Sequence, residues 1–302
     1  MRSDFLVALV ELAESDKNIM LLTADLGFSV FEEFEVRFPN QYINVGIAEQ
    51  AMAGIAAGLA MEGKKVFTYS IGNFPTLRCI EQIRNDLCYH DLNVNIIGMG
   101  GGYCYGSLGM SHHATEDISI MCSLPNITVM APTGSSETYD LVKQAVNQNG
   151  VSYIRLEKNG YNAPFTERVK IGRPRIVKSG EEIIILVIGS ILTEVVKAAK
   201  KANEKGIFPT IVSLHTVKPF NDSVIEKLIC DYSVVITVEE NNLFGGLGSL
   251  LAHFILTKEL KIKLRTIGIK DKYMSVVGDQ DYLRRQANIS DSDILNAILG
   301  CA

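Results

Sequence analysis

A chain of 302 residues suggests about two domains, and a hydrophobic content of 47% is ample for two packed cores. A net charge of -5 argues against nucleic acid or an anionic membrane as a partner, because either would want a basic face. No apolar run approaches the roughly 18 residues of a bilayer span.

The six cysteines, Cys79, Cys88, Cys104, Cys122, Cys230 and Cys301, contain no CxxC pair, which disfavours a zinc site or a disulfide framework. Most are expected as small buried hydrophobes in a reducing cytoplasm. The chain starts Met1-Arg2-Ser3-Asp4 and runs directly into an amphipathic helix carrying Glu11, Glu14 and Asp16, so no signal peptide is expected. The basic stretch at 170–178 is expected as a solvated loop.

Along the chain, short apolar strand candidates alternate with helical stretches, the pattern of α/β architecture with mainly parallel sheets. Strands are expected at 19–22, 42–45, 65–69, 94–99, 128–131 and 152–156, with helices near 3–13, 47–62, 74–90, 116–122 and 135–147. The stretch from Asn159 to Pro174, with Gly160, Asn162, Pro164 and Gly172, is polar and rich in breakers, so the domain boundary belongs there. A second α/β run follows, with strands at 182–188, 210–213, 233–239 and 263–267 and helices near 191–206, 221–230 and 246–258.

Ligands of open α/β sheets sit beyond the carboxyl ends of the strands. Four strand-to-helix loops therefore matter most: 23–29, 46–49, 70–74 and 98–115. At the mouth of the 47–62 helix stands Glu49, alone among residues that are small or apolar from Ile47 to Met61. That pattern describes a helix buried all round, where an unpaired carboxylate is expensive and its pKa is expected to rise. Such a group is either a structural acceptor for backbone or an acid/base group aimed at a ligand.

The glycine-rich loop Gly98-Met99-Gly100-Gly101-Gly102 ends in His112 and His113, and such a loop can approach a ligand closely. Its spacing does not match a dinucleotide fingerprint. His112 and Glu116 have the one-turn spacing of a zinc pair, although helix capping by Ser111 and Thr115 is the cheaper reading. Ile71 and Phe74 could sandwich a flat ring, and the same loop is also a plain helix entry with Asn73 as cap and Pro75 near the first turn. Arg78, one turn inside that helix, and Lys158 could bind phosphate or only water. No Gly-x-Ser-x-Gly elbow, Walker A sequence or nucleophile with an adjacent base is present, so an enzyme of this kind needs a cofactor.

Several motifs, taken in order, resemble the thiamine-diphosphate enzymes of the transketolase group. They are Ile47-Ala48-Glu49-Gln50, Arg78 with Glu81-Gln82-Ile83-Arg84, Gly109-Met110-Ser111-His112, Leu124-Pro125-Asn126 with Met130-Ala131-Pro132, Thr216-Val217-Lys218-Pro219, Val238-Glu239-Glu240 and Gly245-Gly246-Leu247-Gly248. The resemblance implies a pyrimidine-binding domain over 1–160, a linker over 161–178 and a transketolase C-terminal domain over 179–302. It implies the C-terminal subunit of a split transketolase, moving a two-carbon ketol unit from a ketose to an aldose in the cytoplasm.

Members of that family hold Mg²⁺ and the cofactor's diphosphate through a Gly-Asp-Gly sequence, which is absent here; Gly278-Asp279-Gln280 does not supply it. A separate N-terminal subunit is therefore expected to carry the Mg²⁺ (or Ca²⁺) and diphosphate site, in an α2β2 assembly acting on sugars or sugar phosphates. No metal ligand is expected in this chain. By the resemblance, Glu49 bonds the ring nitrogen N1′ of the cofactor's aminopyrimidine and so activates it. Ile71 and Phe74 match the pyrimidine pocket, Asp25 a residue beside the thiazolium, Ser29 and Lys158 the phosphate end of the substrate, and His112 the group facing its hydroxyls or carbonyl; Arg78 joins the substrate contacts.

Leu108 stands where the family has an acidic residue, and Gly100 where it has an upstream histidine, which points away from ordinary pentose phosphates and toward a specialised sugar. Two related activities share the pattern: the β subunit of a 2-oxoacid dehydrogenase and a 1-deoxyxylulose-phosphate-synthase-like enzyme. A non-catalytic binding half is a further reading, against which the joint presence of Glu49, His112 and Asp25 speaks. The Gly-x-x-Gly-x-Ser-His-His stretch and Lys218-Pro219 favour transketolase over the dehydrogenase.

Overall fold

Unbroken apolar runs become the central strands of two sheets, since a strand covered on both faces by helices needs apolar side chains on both. A computed structural model describes residues 1–27, 29–162 and 167–301. Phe28 of the first rim loop and Pro164 of the breaker-rich stretch lie outside them. In the first half β1 (Ile19–Thr23), β2 (Tyr42–Asn44), β3 (Lys65–Ile71), β4 (Val94–Met99), β5 (Ile127–Met130) and β6 (Val151–Leu156) run parallel in the order β5-β6-β4-β3-β1-β2. The second half contains β7 (Arg175–Lys178), β8 (Ile183–Ile188), β9 (Thr210–Ser213), β10 (Thr216–Lys218), β11 (Val234–Asn242) and β12 (Lys263–Ile269). Five of these form a second sheet in the order β12-β11-β8-β9-β7.

Helices cover both sheets. The first set is α1 (Arg2–Ser15), α2 (Glu32–Arg37), α3 (Glu49–Met61), α4 (Ile80–Gln82), α5 (Asp117–Ser123) and α6 (Ser135–Ala145). The second is α7 (Leu192–Asn203), α8 (Asp222–Ile229), α9 (Leu247–Thr257), α10 (Gln280–Gln286) and α11 (Asp291–Leu299). In α1 the buried residues Phe5, Ala8, Leu9 and Leu12 recur at three- and four-residue steps, giving one stripe that packs with α6 in the same core. Each large side chain buried this way stabilises the fold by about 1.5–3 kcal/mol.

The α/β architecture is as expected, and four local features differ. The helix α3 is not buried all round: Ile55 is 40% and Met61 56% exposed, as is Ile47 just before it at 80%, while Met52, Ala53, Ala56 and Ala57 face the core. An all-apolar sequence shows only that both faces avoid water, not that this chain alone covers both. The expected helix over 74–90 is three pieces: a 3₁₀ turn at Leu77–Cys79, α4, and a π turn at Ile83–Cys88. Strand β7 lies inside the stretch read as a linker and pairs antiparallel with β9; as an edge strand it needs little apolar content, so hydropathy did not mark it. Strand β10 leaves the second half of the sequence and pairs antiparallel with β5 of the first sheet.

Between the two halves lies a buried polar network that no sequence pattern announced. Arg155, the one charged residue of β6, places Nη2 2.8 Å from the Glu240 carbonyl and Nη1 3.4 Å from Asp117. Arg284 donates from Nε to Glu240 at 2.7 Å and from Nη2 to Ser190 at 3.1 Å, while Glu157 accepts from the Ser190 backbone at 3.1 Å. Gln280 bridges Glu157 and Glu240 at 3.2 and 3.1 Å. Burial pushes the Asp117 and Glu240 carboxyls up, and the two guanidinium groups oppose that push. Removing one member of such a network leaves the others charged and unpaired, so it locks the halves together.

Glu239, inside β11, accepts from the Leu247 and Gly248 backbone amides at 2.9 and 2.8 Å and thereby caps α9. Burial nonetheless pushes its carboxyl up to about 7. The folded state therefore holds this proton more tightly than the unfolded chain. The associated stability is complete below the unfolded carboxylate range and lost as pH rises through about 7. Relative to Glu239→Gln, which does not titrate, the wild-type chain is expected to lose stability between pH 5 and pH 8. Urea unfolding at both pH values measures this, and a constant difference contradicts it.

Candidate active site

The parallel order of β2, β1, β3, β4 and β6 brings the loops that follow them to one rim. Glu49 follows β2 and opens α3; Asp25 follows β1; Ile71 ends β3, with Phe74 just beyond; His112 and Lys158 follow β4 and β6. The rim loops are tied to each other. Asn44 accepts from the Asp25 amide at 3.0 Å and donates to its carboxylate at 3.1 Å, and Asp25 itself sits at φ 54. Asn73 donates to the Ser111 carbonyl at 3.2 Å, joining the loop after β3 to the loop after β4.

Glu49 is 2% exposed, and it has partners. Arg78 Nη1 stands 2.7 Å from one carboxylate oxygen and the Ser70 hydroxyl 3.3 Å from the other. The expectation of a lone, unpaired carboxylate is therefore corrected: the break in the 74–90 helix turns Arg78, in the 3₁₀ segment, onto Glu49. Arg78 remains 47% exposed, so one end of the pair meets solvent. Its guanidinium lies 4.8 Å from the Phe74 ring centroid, and Phe74 meets the His112 ring edge-on at 5.3 Å. Glu49, Arg78, Phe74 and His112 thus form one continuous cluster.

Other candidates make their contacts elsewhere on the rim. Ser29, exposed and at φ 58, donates its amide to Glu32 at 2.6 Å. Lys158 is exposed and holds its ammonium 4.5 Å from the Tyr105 ring centroid. His112 and Glu116 do not share a helix: Met110–His112 is a 3₁₀ turn, and α5 begins at Asp117. Capping by Ser111 and Thr115 is also replaced, with Ser111 bonding the His112 ring at 3.0 Å and Thr115 bonding Glu116 at 2.9 Å. Asn73 bonds Ser111 rather than capping a helix. Among the described residues no cluster of three or more His, Cys, Asp or Glu side chains could hold a metal ion, and no helix is long and apolar enough to cross a membrane.

A glycine run allows close approach, and at 100–102 what approaches closely is protein. A Cβ on Gly100 would stand 2.1 Å from the Tyr105 ring, on Gly101 1.7 Å from Arg155 Nε, and on Gly102 2.6 Å from the Glu240 carboxylate. Three successive glycines let three different side chains pass, two of them members of the buried network. Sequence reasoning also missed Ser70, whose only signal is a hydroxyl near the end of an apolar strand.

The chain matches the family model "Transketolase, pyrimidine binding domain" over residues 1–164 and "Transketolase, C-terminal domain" over residues 172–294. The chain belongs to the transketolase family. It is 35% identical to one subunit of an apulose-4-phosphate transketolase from Actinobacillus succinogenes, over 88% of this chain and 86% of that protein. Its fold is similar to a solved split-gene transketolase described as an inactive beta4 tetramer, with a TM-score of 0.90, 32% identity and coverage of 99% of this chain and 97% of that one. A 1-deoxy-D-xylulose-5-phosphate synthase from Dictyoglomus turgidum is 33% identical over 97% of this chain, which spans only 48% of that longer protein. The Glu49 cluster lies wholly within the pyrimidine-binding part of this transketolase-family chain.

Proposed function

We propose that this chain is the C-terminal subunit of a two-chain transketolase, transferring a two-carbon ketol unit from a ketose donor to an aldose acceptor. The observation that carries the reading is Glu49: a buried carboxylate at the start of α3, on the strand-end rim, in contact with Arg78 and linked through it to Phe74 and His112. Its chemistry fits thiamine diphosphate, because a buried carboxylate on the same rim as the half-buried Ile71 and Phe74 offers a hydrogen-bonding oxygen and apolar faces for an aminopyrimidine ring. When bound, that cofactor supplies the nucleophilic carbon that opens and remakes the bond next to a carbonyl.

The roles of this chain's own residues follow. Glu49 shares a proton with the ring nitrogen N1′. Arg78 and Ser70 hold the carboxylate in place, so no reorganisation is needed when the ring arrives. His112, half-buried and backed by Phe74, faces the sugar's oxygen atoms. Lys158, with Ser29 across the rim, meets the far, anionic end of the substrate, and Asp25, fixed by Asn44, stands beside the cofactor. Mg²⁺ or Ca²⁺ and the diphosphate belong to a separate N-terminal subunit, in an α2β2 assembly in the cytoplasm. The relative named for apulose 4-phosphate and the absence of an acid at Leu108 support a specialised sugar phosphate as substrate.

The exposed side of α3 supports the assembly. Ile55 and Met61 are exposed, as is Ile47 just before the helix, and nothing lies within 4 Å of a Cβ built on Gly54 or Gly58, so another subunit can approach the backbone there. Ile55→Asp is expected to leave the chain folded while preventing assembly, which light scattering after size-exclusion chromatography reads as a fall in mass. An unchanged mass sinks the contact. For the function itself, calorimetric titration with thiamine diphosphate is expected to show tight binding by the pair of subunits and weak binding by this chain alone, followed by turnover of a ketose. Equal affinity in both samples overturns the split-site reading.

A second reading is a synthase that joins a two-carbon unit from pyruvate to an aldose phosphate, favoured by the 33% identity to the Dictyoglomus turgidum protein. Carbon dioxide release from pyruvate by the pair, with no ketose turnover, selects it.

A further inference from the structure

The two rim loops that carry His112 and Lys158 are held from the second half of the chain. Glu240, in β11, accepts from the Tyr103 amide of the first loop at 2.7 Å. Glu157 opens the second loop, as the residue before Lys158. Gln280, the first residue of α10, places its side-chain nitrogen 3.1 and 3.2 Å from the two Glu240 oxygens and 3.2 Å from Glu157. One amide thus joins the carboxylate that holds the His112 loop to the carboxylate next to Lys158. Arg284 also bonds Glu240, at 2.7 Å, but stands 3.9 Å from Glu157, so of the two α10 side chains only Gln280 hydrogen-bonds both carboxylates.

Packing repeats the arrangement. Tyr103 is buried in the apolar core of the second half, in one cluster with Leu283 of α10. A Cβ on Gly106 would stand 2.5 Å from Leu283 and 2.6 Å from the Gly278 carbonyl, so a glycine lets the loop lie this close to the turn before α10. The Lys158 amide donates to Cys104 Sγ at 3.4 Å and its ammonium lies 4.5 Å from the Tyr105 ring centroid, which joins the two loops to each other. A loop free to move loses that freedom when it meets a ligand, and the loss weakens binding; a loop held beforehand binds more tightly. Apolar contact alone holds a loop against a surface without fixing its direction. Hydrogen bonds from one amide to two carboxylates fix both direction and distance.

We propose that Gln280 is a positioning residue for the sugar substrate: by tying Glu240 to Glu157 it holds the His112 loop and the Lys158 loop in one mutual geometry. The C-terminal half, which adds no side chain to the Glu49 cluster, thereby sets how tightly the substrate is held. The inference rests on the transketolase reading for the roles of His112 and Lys158. It leaves the cofactor to Glu49 and Arg78, which lie in neither loop.

Gln280→Leu, which keeps the bulk and removes the donors, and Gln280→Ala test this in the complex with the N-terminal subunit. Gln280 is half-buried, so both variants are expected to fold, with circular dichroism verifying it. Hydrogen-exchange mass spectrometry is expected to show exchange about tenfold faster at 103–113 and 157–160 and unchanged in α1 and α8. Kinetics use whichever of apulose 4-phosphate, D-xylulose 5-phosphate and D-fructose 6-phosphate the wild-type complex turns over, with D-ribose 5-phosphate as acceptor. KM for the donor is expected to rise about tenfold and kcat to change by less than about threefold, while the calorimetric affinity for thiamine diphosphate stays that of the wild type. A merely structural Gln280 lowers the urea midpoint and leaves the KM of the folded complex as it was. Exchange at the wild-type rate in both loops, exchange that quickens throughout the chain, or an unchanged KM overturns the proposal. A wild-type complex that turns over none of the three ketoses overturns the proposed function instead, and the exchange rates still decide whether Gln280 ties the loops.

Discussion

Glu49→Ala, assayed in the complex with the N-terminal subunit, is expected to lower kcat/KM by about 10²–10⁴, the range associated with a positioned acid/base group. Stability is expected to change little. The partner left behind, Arg78, is 47% exposed and can be solvated in place, so the loss is of the order of a half-exposed ion pair, about 1 kcal/mol or less. A purely structural Glu49 predicts the reverse, with a clear fall in the urea midpoint and activity retained. Steady-state kinetics and urea unfolding on the same preparation therefore separate the two roles. Full activity in Glu49→Ala sinks the mechanism. Arg78→Ala supplies a graded companion: the carboxylate keeps Ser70 at 3.3 Å but loses its 2.7 Å partner, so a smaller loss of rate is expected.

Gly101→Ala is expected to be among the most destabilising single substitutions in the chain. The added Cβ would stand 1.7 Å from Arg155 Nε and 2.6 Å from its Cγ and Cδ, distances at which something must move. Arg155 is 2% exposed and tied to Asp117, to the Glu240 carbonyl and, at 3.8 Å, to Glu157, so it cannot swing aside without leaving buried charges unpaired. Disruption of such a pair costs about 3–5 kcal/mol. At about 2–4 °C per kcal/mol for a unit of 150–250 residues, the melting temperature falls by roughly 10 °C. Gly101 follows β4 at the start of the loop that carries His112, so activity of the complex is expected to fall with it. Calorimetric melting decides the matter, and a variant that melts with the wild type shows that the loop yields.

Much of the first half of the fold was legible because its strands bury both faces. The 94–99 and 210–213 strands fall where apolar runs placed them, and most others differ by a residue or two at their ends. What escaped has a physical cause in each instance. Three-residue β10 is too short to show a period, and β7 pairs only along one edge. The 3₁₀-to-π sequence from Leu77 to Cys88 has the composition of an ordinary helix, and only its packing against Glu49 distinguishes it. The acid Glu49 stood out because charge is conspicuous in an apolar helix; its partner did not, because an arginine 29 residues away along the chain carries no local sign of where it points.

The sequence by itself determined the architecture and the family: apolar runs alternating with helical periods specify parallel sheets, and ordered motifs from Ile47 to Gly248 specify transketolase. It also determined that Glu49 is chemically unusual. Only the tertiary structure decided that this carboxylate is paired with Arg78 and Ser70, that the glycines at 100–102 make way for Tyr105, Arg155 and Glu240, and that α3 has an uncovered face. Those facts depend on side chains brought together across sheet order and loop direction. Local propensity acts over a few residues, whereas a buried charge is satisfied by whatever the whole fold carries to it.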